Sequence, residues 1–251
     1  MLNTGRNGII FDFDDTLVEN AVFFEISRKK FVLFMEGLGF HSEEVLVTLD
    51  RIDIENVTKC GAFLKECFPG AMAQTYDHFC AVNDILPRPD LRREALDIGW
   101  WVFRQKPVPV KGSKDVLEEL GRRYDLFLAT KGDPTVQWQR IEDSGLKGYF
   151  RQIYVLKNKT RQEYVDIAQK NNFSEKNSWV IGNSIKSDIN PGIQAGLNCI
   201  HIPNRYTWHF EMEEPVGEYL TLDSLGLVPD LLLRRELFGI HPHSRFFKYG
   251  L

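Results

Sequence analysis

Five short apolar runs punctuate the chain: Gly8-Ile9-Ile10-Phe11, Leu126-Phe127-Leu128-Ala129, Ile153-Tyr154-Val155-Leu156, Trp179-Val180-Ile181-Gly182 and Cys199-Ile200-His201-Ile202. None alternates between apolar and polar positions. Continuous apolar runs of this length predict strands buried on both faces, as in a parallel sheet covered by helices. The segments between the last four runs carry helix punctuation. Asp133 is placed to cap a helix that Pro134 opens and Gly145 ends, and Asn190-Pro191 opens a shorter one that Gly196 ends. Ser113 is the expected cap of Lys114–Leu120, which leads into the second run. Strand and helix alternating at this spacing predict an α/β fold, a doubly wound, mainly parallel, Rossmann-like sheet.

The first and second runs stand much further apart than one crossover helix requires. The intervening residues, from Glu19 to about Lys106, read as helical throughout. Phe23, Phe24, Phe31, Phe34 and Met35 form one apolar stripe, and others run through Glu43–Val57, Ala71–Val82 and Leu91–Phe103. The expected organisation is a core from 1–18 and 108–251, with an inserted all-helical cap at 19–107. Leu17-Val18-Glu19 and Gln105–Val110 are the hinges. A last helix is expected at Pro229–Leu237, followed by a basic, aromatic tail to which no role is assigned.

Composition narrows the possibilities. Of 251 residues, 43% are hydrophobic and 26% charged, enough apolar material for a packed core. A formal net charge of −4 gives no footprint for a nucleic acid polymer or an anionic membrane. No apolar run reaches the roughly 20 residues that span a bilayer, and the first residues lack a basic segment followed by an apolar one. Four cysteines, without a C-x-x-C pair or zinc spacing, suit free thiols in a reducing compartment. The expectation is a cytoplasmic protein; its oligomeric state is not legible.

In open parallel sheets ligands bind at the carboxyl ends of the strands. The first run is followed by Asp12-Phe13-Asp14-Asp15-Thr16 and the second by Thr130-Lys131-Gly132-Asp133. Lys157 and Lys159 follow the third, and Asn183-Ser184-Ile185-Lys186-Ser187-Asp188 the fourth. Acids, a hydroxyl and amines thus emerge at one edge of the predicted sheet. Asp12 and Asp14 lie two apart on an extended segment, so their carboxylates share a face and Phe13 takes the other. Two adjacent anions repel unless a cation lies between them or one holds a proton. An all-oxygen set suits magnesium better than zinc or copper. Asp15 points off that face and suits a turn.

These stretches resemble the four motifs of the haloacid dehalogenase superfamily, in the family's order: Phe11–Leu17 the first, Leu128-Ala129-Thr130 the second, Lys159 the third and Gly182–Asp188 the fourth. The resemblance covers about two-thirds of the chain, and a helical insertion between the first two motifs is a family habit. It implies that Asp12 attacks phosphorus to form an aspartyl-phosphate, while Asp14 protonates the leaving oxygen and then activates water. It implies magnesium held by Asp12, Asp14 through its carbonyl, Asp188 and Asn183. Thr130, Lys131 and Lys159 become the phosphate-binding set. Lys157 and Lys159 compete for the lysine role, and Lys159-Thr160 at a helix start fits the pattern better. Where many relatives have Gly-Asp this chain has Gly182-Asn183, which offers an oxygen but no charge and weakens the expected grip on the metal.

The resulting expectation is a phosphomonoester hydrolase acting on a small-molecule phosphate ester. A phosphomutase, which shares Asp14, and a non-catalytic binding protein are the alternatives. Dehalogenating members carry another residue type at Asp14. A receiver domain orders its residues differently, and neither a P-loop nor a dinucleotide glycine motif occurs. Glu19, Asn20, Phe24 and Arg28 follow the first motif closely enough to face a leaving group, though helix packing explains them equally well. Tyr206, Trp208 and His209 stand in the same position with respect to the cleft rim.

Overall fold

The computed structural model describes residues 7–174 and 177–238. The first apolar run forms β1 (Gly8–Phe11). The chain then leaves through a short strand, β2 (Val18–Glu19), into four helices: α1 (Ala21–Gly37), α2 (Ser42–Cys60), α3 (Cys67–Val82) and α4 (Pro89–Trp100). It returns through β3 (Val108–Pro109), which pairs antiparallel with β2. Exit and entry to the helical insertion are thus tied side by side. The remaining elements are α5 (Ser113–Gly121), β4 (Asp125–Lys131), α6 (Pro134–Ser144), β5 (Gln152–Leu156), α7 (Arg161–Lys170), β6 (Trp179–Gly182), α8 (Asn190–Gln194), β7 (Asn198–His201), β8 (Leu220–Thr221) and α9 (Val228–Phe238).

The main sheet has the order β5-β4-β1-β6-β7-β8, and every adjacent pair is parallel. β1 is central, which is why its run is wholly apolar. Ile9 and Phe11 face one helical layer, with Leu117 and Leu120 of α5 and Leu231 and Leu232 of α9. Ile10 faces the other, with Tyr164 and Ile167 of α7. Side chains that alternate between two covered faces leave no position for a polar residue. The helical insertion has a separate core built on Phe31, Met35, Leu49, Phe68, Met72 and Tyr76.

Several boundaries depart from the sequence expectation. Ser113 is not an N-cap: it is the first residue of α5, its hydroxyl is buried without a partner, and Gly112 precedes it at φ 81° with no side-chain cap. A left-handed glycine turns the chain into the helix, so no hydroxyl is called on. The stretch after β6 is a π-helical turn, Ile185–Ile189, that runs directly into α8. β8 was not anticipated, because two residues carry no period. The helix at the C-terminal end is α9, and the basic tail beyond it lies outside the described residues. No described helix is long and apolar enough to cross a membrane.

Gly99, inside α4, lies against Pro69 of α3 with no room for a side chain. A Cβ there would stand 2.5 Å from the Pro69 Cα of α3. Gly99→Ala should therefore destabilise the protein by about 1–3 kcal/mol, although alanine is the better helix former. Urea unfolding would measure it, and an unchanged or raised midpoint would refute this account of the α3–α4 contact.

Candidate active site

The loop after β1 is shaped by backbone bonds before any chemistry is considered. The Asp12 N–H donates to the Ile181 carbonyl (2.9 Å), extending the β1–β6 pairing by one residue. The chain then folds back: Leu17 and Val18 N–H donate to the Phe13 carbonyl at 2.9 and 3.1 Å. Asp15 makes that turn at φ 64°, a conformation that aspartate tolerates better than most residues. Its Oδ1 accepts from the Asn20 and Ala21 N–H groups (3.0 and 2.8 Å), satisfying the amino end of α1, where Asn20 itself makes no side-chain cap. Burial pushes Asp15 up to about 6 against the pull of those N–H groups. Phe13 is fully buried in the core, and Asp12 and Asp14 turn the other way, into the cleft.

Lys159, on the loop before α7, is buried between carboxylates from two other strands. Its Nζ donates to Asp12 Oδ1 and, at 2.7 Å, to Asp188 Oδ1. Burial disfavours the ammonium, yet Asp12 and Asp188 outweigh it and hold Lys159 above its ordinary range. For Asp12 the balance goes the other way: burial, opposed by Lys159 and aided by Asp188, pushes it up to about 7. Asp12 Oδ2 accepts from the Thr16 hydroxyl at 3.0 Å. Lys157 is exposed, so of the two competing lysines it is Lys159 that the fold brings to Asp12.

Asp188 is completely buried. Its Oδ1 also receives the Tyr164 hydroxyl (3.2 Å) and its Oδ2 the Ser184 N–H (3.1 Å). A Cβ on Gly182 would stand 2.3 Å from Asp188 Oδ2, so only glycine leaves this carboxylate its seat. Asn183 lies closer to the cleft. Its carboxamide stands 3.1 Å from Asp12 Oδ2 and 3.2 Å from the Asp14 carbonyl oxygen. With the amide nitrogen there it donates to both; with the amide oxygen there, three oxygens converge. Oxygens about 3 Å apart match neighbouring ligands of an octahedral magnesium ion at about 2.1 Å. The donor set, a carboxylate, a carbonyl and a carboxamide, is one of hard oxygens and fits that ion.

Sequence reasoning missed two side chains that hold Asp14. Gln137 Nε2 has three acceptors within reach for its two protons, Asp14 Oδ2 (2.6 Å), Thr130 Oγ1 (2.9 Å) and the Lys131 carbonyl (2.8 Å). Arg140 Nη2 donates to Asp14 Oδ1 at 2.6 Å. Both lie on α6, three residues apart and so on one face. The available signal was the cap: Asp133 accepts from the Thr135 and Val136 N–H groups, which starts α6 immediately beside the site. Lys131 is likewise engaged, with Glu211 (2.7 Å) and the Ser187 hydroxyl (2.6 Å). Burial lowers Lys131. Glu211 is also disfavoured by burial, but Lys131 and the Ser187 and Ser184 hydroxyls hold it below its ordinary range.

A cleft of about 620 Å³ opens between these groups and the helical insertion, a volume typical of a small-ligand site. All seven residues expected from the sequence line it: Asp12, Asp14, Thr130, Lys131, Lys159, Asn183 and Asp188. Asn20, Phe24 and Arg28 line it from the insertion; Tyr206, Trp208 and His209 line its rim, and Glu19 is not on its wall. On the insertion side Arg28 pairs with Asp50 and, at 3.5 Å, with Asp53.

The family model of the haloacid dehalogenase-like hydrolases matches residues 7–196. Pyrimidine 5'-nucleotidase PynA of Streptococcus pneumoniae is 30% identical over 142 residues, 53% of this chain and 60% of the relative. The HAD-hydrolase YfnB of Bacillus subtilis is 32% identical over 95 residues, 36% of this chain and 40% of the relative. The matched stretches thus span less than two-thirds of both relatives. YfnB has been solved bound to magnesium, and that structure covers 92% of this chain at a TM-score of 0.57 and 17% identity. A haloacid dehalogenase-like hydrolase from Xanthomonas campestris shares the fold with a TM-score of 0.74 at 20% identity, covering 93% of this chain and 97% of its own.

Asp53 allows the electrostatics of the cleft wall to be checked. Burial pushes it up to about 6, against the pull of Arg28 and with the help of Asp50. A carboxyl whose folded pKa is raised stabilises the fold while it holds its proton. That contribution is complete below about 3.8 and is lost as the pH rises through about 6, a loss on the order of 2–3 kcal/mol. Asp53→Asn should therefore gain stability relative to the parent between pH 4.5 and 7.5, read as the difference in urea midpoints. An equal difference at both pH values would contradict the assignment.

Proposed function

The chain belongs to the haloacid dehalogenase-like hydrolase family, and from that premise we propose that it is a magnesium-dependent phosphomonoester hydrolase acting on a small phosphorylated metabolite through an aspartyl-phosphate on Asp12. The observation that carries this reading is the setting of Asp12: a buried carboxylate at a strand end, bonded to a buried lysine, with Asp14 two residues on and facing the same cleft.

Asp12 supplies the oxygen that attacks phosphorus, as the bond from phosphorus to the leaving oxygen breaks. Lys159 offsets the charge of nucleophile and phosphate together. At an effective dielectric near 20 and about 4 Å, one such pair is worth roughly 4 kcal/mol before desolvation. Thr130 accepts an amide proton from Gln137, which leaves its own hydroxyl proton to donate to a phosphate oxygen. In its protonated form Asp14 gives that proton to the leaving oxygen; the resulting carboxylate, the form that Arg140 and Gln137 bond, then takes a proton from the water that attacks the aspartyl-phosphate, releasing phosphate and restoring Asp12. Arg140 and Gln137 hold the Asp14 carboxylate at the cleft. Asp12, the Asp14 carbonyl and Asn183 would hold magnesium; Asp188, expected from the sequence as a further ligand, is buried and bonded by Lys159, Tyr164 and the Ser184 N–H, and supplies its charge from behind them. When bound, the ion lowers the repulsion between an anionic carboxylate and an anionic phosphate. Three cap phenylalanines, Phe24, Phe63 and Phe68, line the cleft opposite these groups and would exclude bulk water.

Hydrolysis of para-nitrophenyl phosphate tests the reading. Turnover should require magnesium and stop with EDTA. It should fall at least about a thousandfold in Asp12→Asn and about a hundredfold or more in Lys159→Met, while Lys157→Met stays within about twofold. A folded Asp12→Asn protein that retains turnover would remove Asp12 as nucleophile. A parent protein that binds magnesium without turnover would favour a mutase or a binding protein.

A further inference from the structure

Lys131 closes β4 immediately after Thr130, and its side chain, 19% exposed, lines the cleft. The ammonium donates to the Ser187 hydroxyl (2.6 Å) and to Glu211 Oε2 (2.7 Å). A lysine has three donors. Among the described residues no acceptor meets the third, and the Phe63 ring of the cap covers the ammonium at 4.3 Å.

Glu211 is itself firmly placed, although it lies outside all four motif stretches. Its Oε2 also accepts the Ser187 and Ser184 hydroxyls, at 2.6 and 3.1 Å. The loop that carries it, after β7, is fastened along Ile185–Ile189 and α8. Lys186 Nζ donates to the Phe210 carbonyl (2.7 Å), Asn190 Nδ2 to the Glu214 carbonyl (2.9 Å), and the Val216 N–H to Asn190 Oδ1 (2.9 Å). The same turn seats Asp188 through the Ser184 N–H. Glu211 is therefore held by the segment that brings Asp188 to Lys159.

The charges that face Lys131 are Glu211 from this loop, Asp188 from the turn and Lys159 from the loop before α7. Burial lowers Lys131, Glu211 opposes that, Lys159 adds to it and Asp188 opposes it. Without Glu211, an ammonium largely out of water and beside Lys159 gives up its proton more easily, and a neutral amine is the weaker partner for an anionic oxygen. Glu211 keeps its own charge, because Lys131 and the two hydroxyls outweigh its burial.

We propose that Glu211 is a positioning residue, which holds the Lys131 ammonium at the cleft beside Thr130 and leaves its third N–H for a phosphate oxygen of the bound ester. The inference rests on the hydrolase reading and adds a second cation to the phosphate site. Lys159 serves nucleophile and phosphate together; Lys131 serves the phosphate alone.

The test measures kcat/KM for para-nitrophenyl phosphate, and inhibition by inorganic phosphate, with magnesium saturating between pH 6.5 and 9. The ratio of Glu211→Gln to parent kcat/KM should fall at least about tenfold across that range, as Lys131 loses its proton earlier. Groups common to both proteins cancel in the ratio. In Glu211→Gln/Lys131→Arg the fall should shrink below about threefold, because a guanidinium keeps its charge throughout. Lys131→Met should weaken inhibition by inorganic phosphate at least about tenfold at pH 6.5, the loss of one charged hydrogen bond. A Glu211→Gln ratio that is flat with pH, whatever its size, marks a merely structural residue and overturns the inference. So does a fall that persists with Lys131→Arg, or a Lys131→Met protein that phosphate inhibits as it does the parent. Should Glu211→Gln not fold, Glu211→Asp, which draws the charge back by one methylene, decides the same point: a fall of about threefold supports the inference and a flat ratio overturns it. In each adverse case a parent protein that cleaves para-nitrophenyl phosphate keeps the hydrolase reading intact. A parent that does not cleave it overturns both.

Discussion

A buried ammonium held by two buried carboxylates organises this protein. Lys159, Asp12 and Asp188 come from loops after three different strands, and none of the three charges is stable alone in the interior. Two carboxylates without Lys159 would repel each other where water cannot screen them, and the lysine without them would give up its proton. Their mutual neutralisation lets the ends of β1, β5 and β6 converge in a dry place. It also leaves Asp12 poised, pulled toward protonation by burial and toward ionisation by Lys159. Gly182 belongs to the same arrangement, because any side chain there would occupy the place of Asp188.

Around that centre each layer adds a different constraint. The parallel sheet brings strand ends to one edge, and the helical layers on both faces explain why its central strand β1 is wholly apolar. The α6 helix, started by Asp133, carries Gln137 and Arg140 to Asp14, so the second acid is held by a helix as well as by its own loop. The loop after β7 supplies Glu211, which neutralises Lys131. The cap's Phe63 lies over that lysine at 4.3 Å and against Trp208 and Phe210. Cap and core meet here through aromatic rings and a cation, and also through the Lys65 Nζ hydrogen bond to the Thr135 hydroxyl (3.2 Å).

The cap wall shows a contrasting economy. Asp53 is held where burial raises its pKa to about 6, so the fold would be more stable with a neutral side chain there. The Arg28 guanidinium offsets part of that cost by pairing with both Asp50 and Asp53.

Much of this was legible in the sequence, for a definite reason. Strand ends, helix starts and the two-residue spacing of Asp12 and Asp14 are local properties, set by periodicity and capping within a few residues. The runs around Ile9, Phe127 and Val180, the helix from Pro134 to its Gly145 stop, and the helical nature of the insertion could all be read before any fold was known. Position along the chain could not say that Lys159 rather than Lys157 is inside, that Gln137 and Arg140 grip Asp14, or that Glu211 answers Lys131. Those pairings join residues far apart in sequence, 123 positions for Gln137 and Asp14 and 147 for Lys159 and Asp12. Nor could it say that Arg28 is shared by Asp50 and Asp53. Local chemistry determined which elements form and which residues stand at their ends. Only tertiary packing decided which charges meet, because the partner of a buried charge is chosen by proximity in space, where the loss of water makes that choice energetically decisive.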